Sequence, residues 1–387
     1  MDAKDLRIAL FSGNYNYTRD GCNQALNRLA DYVLRQGAAL RVYAPVVDNP
    51  DFAPTGDLVN VPNMRMPIRN RGEYRLTLGL GSDVRKDLEA FRPNLVHVSA
   101  PDPTGHAAVK WARENNVPIL ASVHTRFETY PRYYGLGFLE PAVEALLRRF
   151  YHRCDALVAP SQSQIDELKA QGMHDDISIW SRGVDRDVFD PSKRDMQWRR
   201  ENGLADDDVA IVFLGRLVME KGLDVFADTI VELRKRQIPH KVLVIGDGPA
   251  RGWFEKALPG GTFVGFQTGK DLGRALASGD IFFNPSITET FGNVTLEAMA
   301  CGLPVVAAGA TGAASLVNDG ETGQLVPPST TDAFSKSCAE ALAPYCTDDA
   351  LRLAHGAAGE KAARAYSWDA INQAVVDTYL RLLDQRR

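Results

Sequence analysis

Only five cysteines occur, at positions 22, 154, 301, 338 and 346, and no two stand in a C-x-x-C or zinc-ligand spacing. An odd, scattered set excludes a disulfide frame and fits reduced thiols in a cytosolic compartment. No apolar run reaches the ~18 residues a membrane-spanning helix needs. Met1-Asp2-Ala3-Lys4-Asp5 leads straight into a strand-like run without the apolar core of a signal peptide, so none is expected. A basic excess is also lacking: 25 basic face 25 acidic residues up to Asp195, and 19 face 24 after it. Neither half is basic enough for general nucleic-acid binding, and no nucleic-acid partner is expected. The seven histidines have no paired spacing with carboxylates, which implies no bound metal. No strand is followed by G-x-G-x-x-G, since Gly246-Asp247-Gly248 lacks the third glycine; this argues against a dehydrogenase.

What is present is a regular alternation of strand and helix patterns. At 387 residues the chain exceeds one ordinary core, and two domains of roughly 190 residues are expected. Strand-like runs stand at Leu6–Phe11, Leu40–Ala44, Leu95–Val98, Ile119–Val123 and Ala156–Ala159, with helical periodicity over Thr104–Asn115 and Ser161–Ala170. The rhythm lapses in Asp190-Pro191-Ser192-Lys193-Arg194-Asp195 and Ala205-Asp206-Asp207-Asp208, which marks the domain boundary. It resumes with Val209–Leu214, Val242–Ile245, Phe263–Val264, Ile281–Phe283, Val305–Ala307 and Leu325-Val326. Helical patterns follow at Asp332–Leu342, Leu351–Ala365 and from Ser367 onwards. The reading is an α/β chain of two doubly wound, Rossmann-like domains in tandem, facing a central cleft. Ligands in such sheets sit at the carboxyl ends of the strands, so the residues after each strand matter most.

The most informative of these stretches runs from Asn284 to Gly302. It leaves a buried strand, passes through a loop and enters a helix, with Glu289 in the loop and Glu297 on the helix. Between them Phe291, Gly292, Asn293 and Val294 form a helix start whose free amides and partial positive charge suit an anion, while the two carboxylates can take hydroxyl groups. Phosphate beside hydroxyls describes a nucleotide sugar. Arg216 and Lys221, after the first strand of the second half, sit in Gly215-Arg216-Leu217-Val218-Met219-Glu220-Lys221-Gly222 and would hold a diphosphate; the loop Gly246-Asp247-Gly248-Pro249 follows the next strand. In the first half His124 ends a strand, where it reads equally as a reactive group or as a satisfied buried imidazole.

The chain resembles the retaining GT-B glycosyltransferases of family 4, with GDP-mannose-dependent alpha-mannosyltransferases and lipid-directed glycosyltransferases, the sulfoquinovosyl transferases among them, as its look-alikes. The resemblance rests on His124, Ala159-Pro160-Ser161, Ser181-Arg182-Gly183-Val184-Asp185, Gly215-Arg216 with Lys221, Gly246-Asp247-Gly248-Pro249, Glu289 with Glu297, and Gly320-Glu321-Thr322-Gly323. It implies an acceptor-binding domain over 1–195, a nucleotide-sugar domain over 196–366 and a helix, 367–387, returning to the first domain. It implies that Arg216 and Lys221 bind the diphosphate, Glu289 the donor sugar and Glu297 the ribose, with His124 beside the reacting carbon. Ser12-Gly13-Asn14 departs from the paired glycines of the family's first loop, and Gly13 or Gly21 stands in for them as a donor contact. Configuration would be kept by front-face displacement, with no metal and no cofactor beyond the donor.

The acceptor follows from basic residues interleaved with apolar ones. Arg65, Arg69, Arg71 and Arg75 lie in one segment, and Pro131–Arg153 mixes Tyr133, Tyr134, Leu136, Phe138, Leu139, Leu146 and Leu147 with Arg148, Arg149 and Arg153. Such stretches suit an anionic bilayer surface. The reading is a cytoplasmic enzyme, peripheral on the inner face of a membrane, that moves a GDP- or UDP-linked hexose or hexuronic acid to a lipid hydroxyl. The alternatives are a soluble or polysaccharide sugar acceptor, or a sugar-nucleotide epimerase on the same fold.

Overall fold

The computed structural model describes residues 2–18, 21–65, 75–124, 137–289 and 291–386. It divides into two compact units, Met1–Arg182 with Trp368–Arg387, and Gly183–Ser367. The first holds β1 (Arg7–Phe11), β2 (Ala39–Ala44), β3 (Asp57–Asn60), β4 (Asn63–Arg65), β5 (Arg75–Thr77), β6 (Leu95–Val98), β7 (Ile119–Ser122), β8 (Ala156–Ala159) and β9 (Ile177–Ile179). Seven of these make a parallel sheet in the order β3-β2-β1-β6-β7-β8-β9; β4 and β5 form an antiparallel hairpin that sets Arg65 opposite Arg75. The second unit holds β10 (Ala210–Leu214), β11 (Lys241–Ile245), β12 (Thr262–Gly265), β13 (Ile281–Asn284), β14 (Val305–Ala308) and β15 (Gly323–Val326), parallel in the order β12-β11-β10-β13-β14-β15.

Strands covered on both faces must be apolar throughout, which is why these read as continuous runs. β6, β7, β8, β13 and β14 are buried at every residue. In each sheet the strand order reverses beside the first strand, between β1 and β6 and between β10 and β13. Loops leaving adjacent strands at such a point diverge and leave a crevice.

The units part at Arg182/Gly183, earlier than the polar stretch at 190–195 marks. The reason is packing that composition does not reveal. Beyond Arg182, Val184 donates its amide to the Tyr366 carbonyl, Arg186 bonds the Ala300 carbonyl and pairs with Glu360, and Arg194 pairs with Asp280 at 2.7 Å, all within the second unit. Asp280 also takes Arg199, fully buried, at 2.9 Å.

The Trp368–Asp384 helix belongs to the first unit and lies against the Gly21–Arg35 helix. Ile371, Val375, Val376, Tyr379, Leu382 and Leu383 are its buried apolar face. Arg381 clamps Asp176 through two bonds of 2.6 and 3.0 Å.

Candidate active site

In the second unit β10 and β13 are neighbours, so the loops at their carboxyl ends meet. A 3-10 turn, Met219–Lys221, precedes Gly222 and the Leu223–Lys235 helix. Thr288 bonds back to the Glu220 carbonyl, and Lys221 Nζ lies 2.7 Å from Glu289 Oε1, both side chains largely covered. Residues 68 positions apart thus form one charged pair. Arg216, in the same loop, is exposed and has no side-chain partner among the described residues. A guanidinium in that state is available to a phosphate.

The β10 and β11 loops are stitched together. Leu217 donates to the Asp247 carbonyl at 2.9 Å and accepts from Ala250 at 3.0 Å, while the Asp247 carboxylate takes Gly248 N–H at 2.7 Å and Arg251 at 3.1 Å. Gly246 has φ +142°, and a Cβ there would stand 2.0 Å from the Gly215 carbonyl oxygen, so only glycine lets these loops close. The glycines read from sequence as ligand contacts therefore also have a structural duty.

After β13, Gly292 in the left-handed region starts the Asn293–Ala300 helix, and no side chain caps it among the described residues. The amides of Asn293 and Val294, in its first turn, have no intrahelical acceptor, as helix geometry dictates. Phe291 is buried beneath them against Tyr366, ring centroids 6.0 Å apart. Gly312 was not singled out in the sequence. A Cβ on it would come within 2.7 Å of Glu289 Cβ, so it backs the Glu289 loop; with no local motif around it, nothing in the chain signalled this.

Glu297 sits one helical turn further on. Burial pushes its carboxyl up to about 8, from an ordinary 4.5. Between those values the folded chain binds a proton that the unfolded chain has released, so this carboxyl contributes stability at acid pH that is lost as pH rises from 4.5 towards 8. Glu297→Gln should remove that slope and raise stability at pH 8 by a few kcal/mol, at about 1.4 kcal/mol per pK unit. Melting curves from pH 5 to 8.5 check this, and a parallel slope in the variant would refute it.

In the first unit His124 follows β7, one residue beyond Val123. Arg182 Nη2 lies 2.8 Å from its Nδ1, and the Trp180 ring meets it edge-on at 5.1 Å. Burial, then Arg182, then His97 hold the imidazole well below its ordinary value, so it is neutral at pH 7. His124 Nε2 is buried without a partner among the described residues. Gly13 follows β1, its carbonyl accepting from the Tyr17 hydroxyl at 2.9 Å. Gly21 begins the Gly21–Arg35 helix.

The basic-apolar stretches divide. Phe138 and Leu146 are exposed at 76% and 63% beside exposed Arg149, but Leu147, Phe150 and Tyr151 turn inward on the Glu140–Tyr151 helix. Leu147 is therefore a core residue and no part of an exposed apolar surface. Arg148 is tied to Glu144 at 2.6 Å and to the Gln171 carbonyl. Arg69, Arg71, Tyr133, Tyr134 and Leu136 lie outside the described residues. No described helix is long and apolar enough to cross a membrane, and no group of three or more His, Cys, Asp or Glu able to hold a metal occurs among the described residues.

Residues 19–188 match the family model described as Glycosyltransferase Family 4, and residues 208–343 the one described as Glycosyl transferases group 1. A GDP-mannose-dependent alpha-mannosyltransferase of Mycolicibacterium smegmatis is 30% identical over 385 residues, covering 98% of this chain and 99% of the relative. The chain belongs to glycosyltransferase family 4. An alpha-monoglucosyldiacylglycerol synthase of Acholeplasma laidlawii is 22% identical over 335 residues, 82% of this chain and 84% of that one. Among solved structures, sucrose-phosphate synthase from Thermosynechococcus elongatus superposes with a TM-score of 0.77 at 20% identity, covering 98% of this chain and 99% of its own, which gives this family 4 glycosyltransferase the GT-B fold.

Proposed function

We propose that this glycosyltransferase moves mannose from GDP-mannose to a hydroxyl of a membrane lipid, with retention of configuration and without a metal. The observation that carries the reading is the Lys221–Glu289 pair at the carboxyl ends of β10 and β13, with Arg216 exposed beside it. Departure of a nucleoside diphosphate develops negative charge on its phosphate oxygens. Arg216, Lys221 and the uncapped amides of Asn293 and Val294 are cationic or donor groups suited to meet it. Glu289 takes hydroxyls of the transferred sugar and Glu297 those of the ribose. Gly215, Gly246, Asp247 and Gly248 shape the phosphate loops, with Gly13 a further donor contact. His124 lies beside the reacting carbon. A departing phosphate oxygen assists loss of the acceptor proton, so charge stabilisation matters more than a strong base.

The full-length mannosyltransferase relative supports the donor, and the diacylglycerol-directed relative supports the acceptor. Thermal shifts against GDP, UDP and ADP, followed by transfer from the stabilising donor to lipid extracts, test both. A shift by UDP alone replaces the donor, and NMR of the product's anomeric proton reports the stereochemistry.

The lipid acceptor carries a prediction of its own. Arg65, Arg69, Arg71 and Arg75 should give electrostatic docking worth about 1 kcal/mol per residue near anionic lipid. Co-sedimentation with vesicles should rise with anionic lipid content and fall with salt. Changing all four to Gln should weaken it while leaving nucleotide affinity unchanged. Indifference to anionic vesicles at low salt, with faster transfer to a soluble sugar than to lipid, would hand the reading to the soluble acceptor.

A further inference from the structure

We infer that Arg182 is a positioning residue for His124: it holds the imidazole in the tautomer protonated at Nε2, so that His124 meets the sugar as a hydrogen-bond donor rather than as a base. The inference rests on the placing of His124 at the reacting sugar, and adds how that histidine is set.

A guanidinium has five N–H donors and no acceptor. With Arg182 Nη2 at 2.8 Å, His124 Nδ1 must therefore supply its lone pair. A neutral imidazole that accepts at Nδ1 carries its hydrogen on Nε2, and an imidazolium would oppose N–H to N–H between two cations. Nε2 is buried and finds no partner among the described residues. A buried donor left so is costly, and a substrate oxygen would satisfy it.

Arg182 is itself locked. It is 5% exposed, donates Nη1 to the carbonyls of Trp180 and Ser181 at 3.2 and 3.3 Å, and lies over the Trp180 ring at 5.4 Å. Trp180 is buried, bonded through Nε1 to Asn372 and edge-on to His97, which in turn bonds the Tyr379 hydroxyl at 2.6 Å. Burial pushes His97 down to about 3. A lysine has one point of charge and cannot span the two carbonyls and the imidazole together. Nothing in the chain order announces the pair, whose members stand 58 residues apart.

The test uses the full chain labelled with 15N-histidine, with the His124 ring assigned by its loss in His124→Gln. Long-range proton–nitrogen correlation should show a single Nε2–H tautomer that does not titrate between pH 5 and 8. In Arg182→Met the ring should become a tautomer mixture. kcat should fall about tenfold or more with the donor KM unchanged. Arg182→Lys guards against loss of fold: melting near the wild type, it should show the mixed ring and a reduced kcat. An Nδ1–H ring or an imidazolium in the wild type, or an unaltered ring in both folded variants, overturns the inference. If the ring responds as expected but His124→Gln transfers sugar at the full rate, the tautomer assignment stands, and the placing of His124 at the reacting sugar is what fails.

Discussion

Replacing Lys221 or Glu289 by Ala is expected to slow transfer by more than about 100-fold, since each removes a group acting on the departing nucleotide sugar. The structure sharpens this expectation by joining the two at 2.7 Å. A pair at the rim of a sheet, with Lys221 still 31% exposed, contributes only about 0–1 kcal/mol to stability, so both variants should melt close to the wild type. The effects should also fail to add. Once Lys221 is gone, Glu289 loses a partner that helps orient it, and the double variant should be little slower than the worse single one. Single-turnover rates with saturating donor measure this, with melting temperature as the folding control. Near-wild-type turnover by either folded variant ends the assignment.

Much of the fold was legible because both sheets are buried on both faces. Ile281-Phe282-Phe283 and Val305-Val306-Ala307 are apolar throughout and have no other use than a central strand. The strands not read were those that lack this signal. β9 is three residues at the edge of its sheet, only partly covered, and β3 has just Leu58 and Val59, both half-buried, between exposed Asp57 and Asn60. The site divides along the same line. Lys221 and Glu289 were each readable from the loop they occupy, because adjacent parallel strands deliver their carboxyl ends to one place. Arg182 was visible only as part of a motif. Its partner is fixed by the fold of β7 and the turn after β9, and no periodicity along the chain encodes that meeting. Composition placed the domain boundary in a charged stretch, whereas Arg186 and Arg194 use their charge to bind that stretch to the second unit.

Removing Trp368–Arg387 should have the largest effect on stability of any change considered. The helix buries Ile371, Val375, Val376, Tyr379, Leu382 and Leu383 within the first unit. At about 1.5–3 kcal/mol per large side chain their exposure costs on the order of 10 kcal/mol, an upper figure because unfolded chains already bury some surface. That matches the whole stability of an ordinary domain, about 5–15 kcal/mol. The loss is also polar: His97 Nδ1 and Trp180 Nε1 lose Tyr379 and Asn372, and Asp176 and Asp155 lose Arg381 and Arg386. Because Trp180 underlies Arg182 and His124, any residual fold should lack an ordered His124. Calorimetry of the truncated chain should therefore show the first unit's transition gone and transfer abolished. GDP should still stabilise what remains, since Arg216, Lys221, Glu289 and Glu297 all lie within Gly183–Ser367. A graded version separates packing from hydrogen bonding: Tyr379→Phe should cost about 1–3 kcal/mol by orphaning His97, and Tyr379→Ala about 3–5 kcal/mol. A truncated chain that melts with the wild type and keeps its activity would show that the first unit does not depend on this helix.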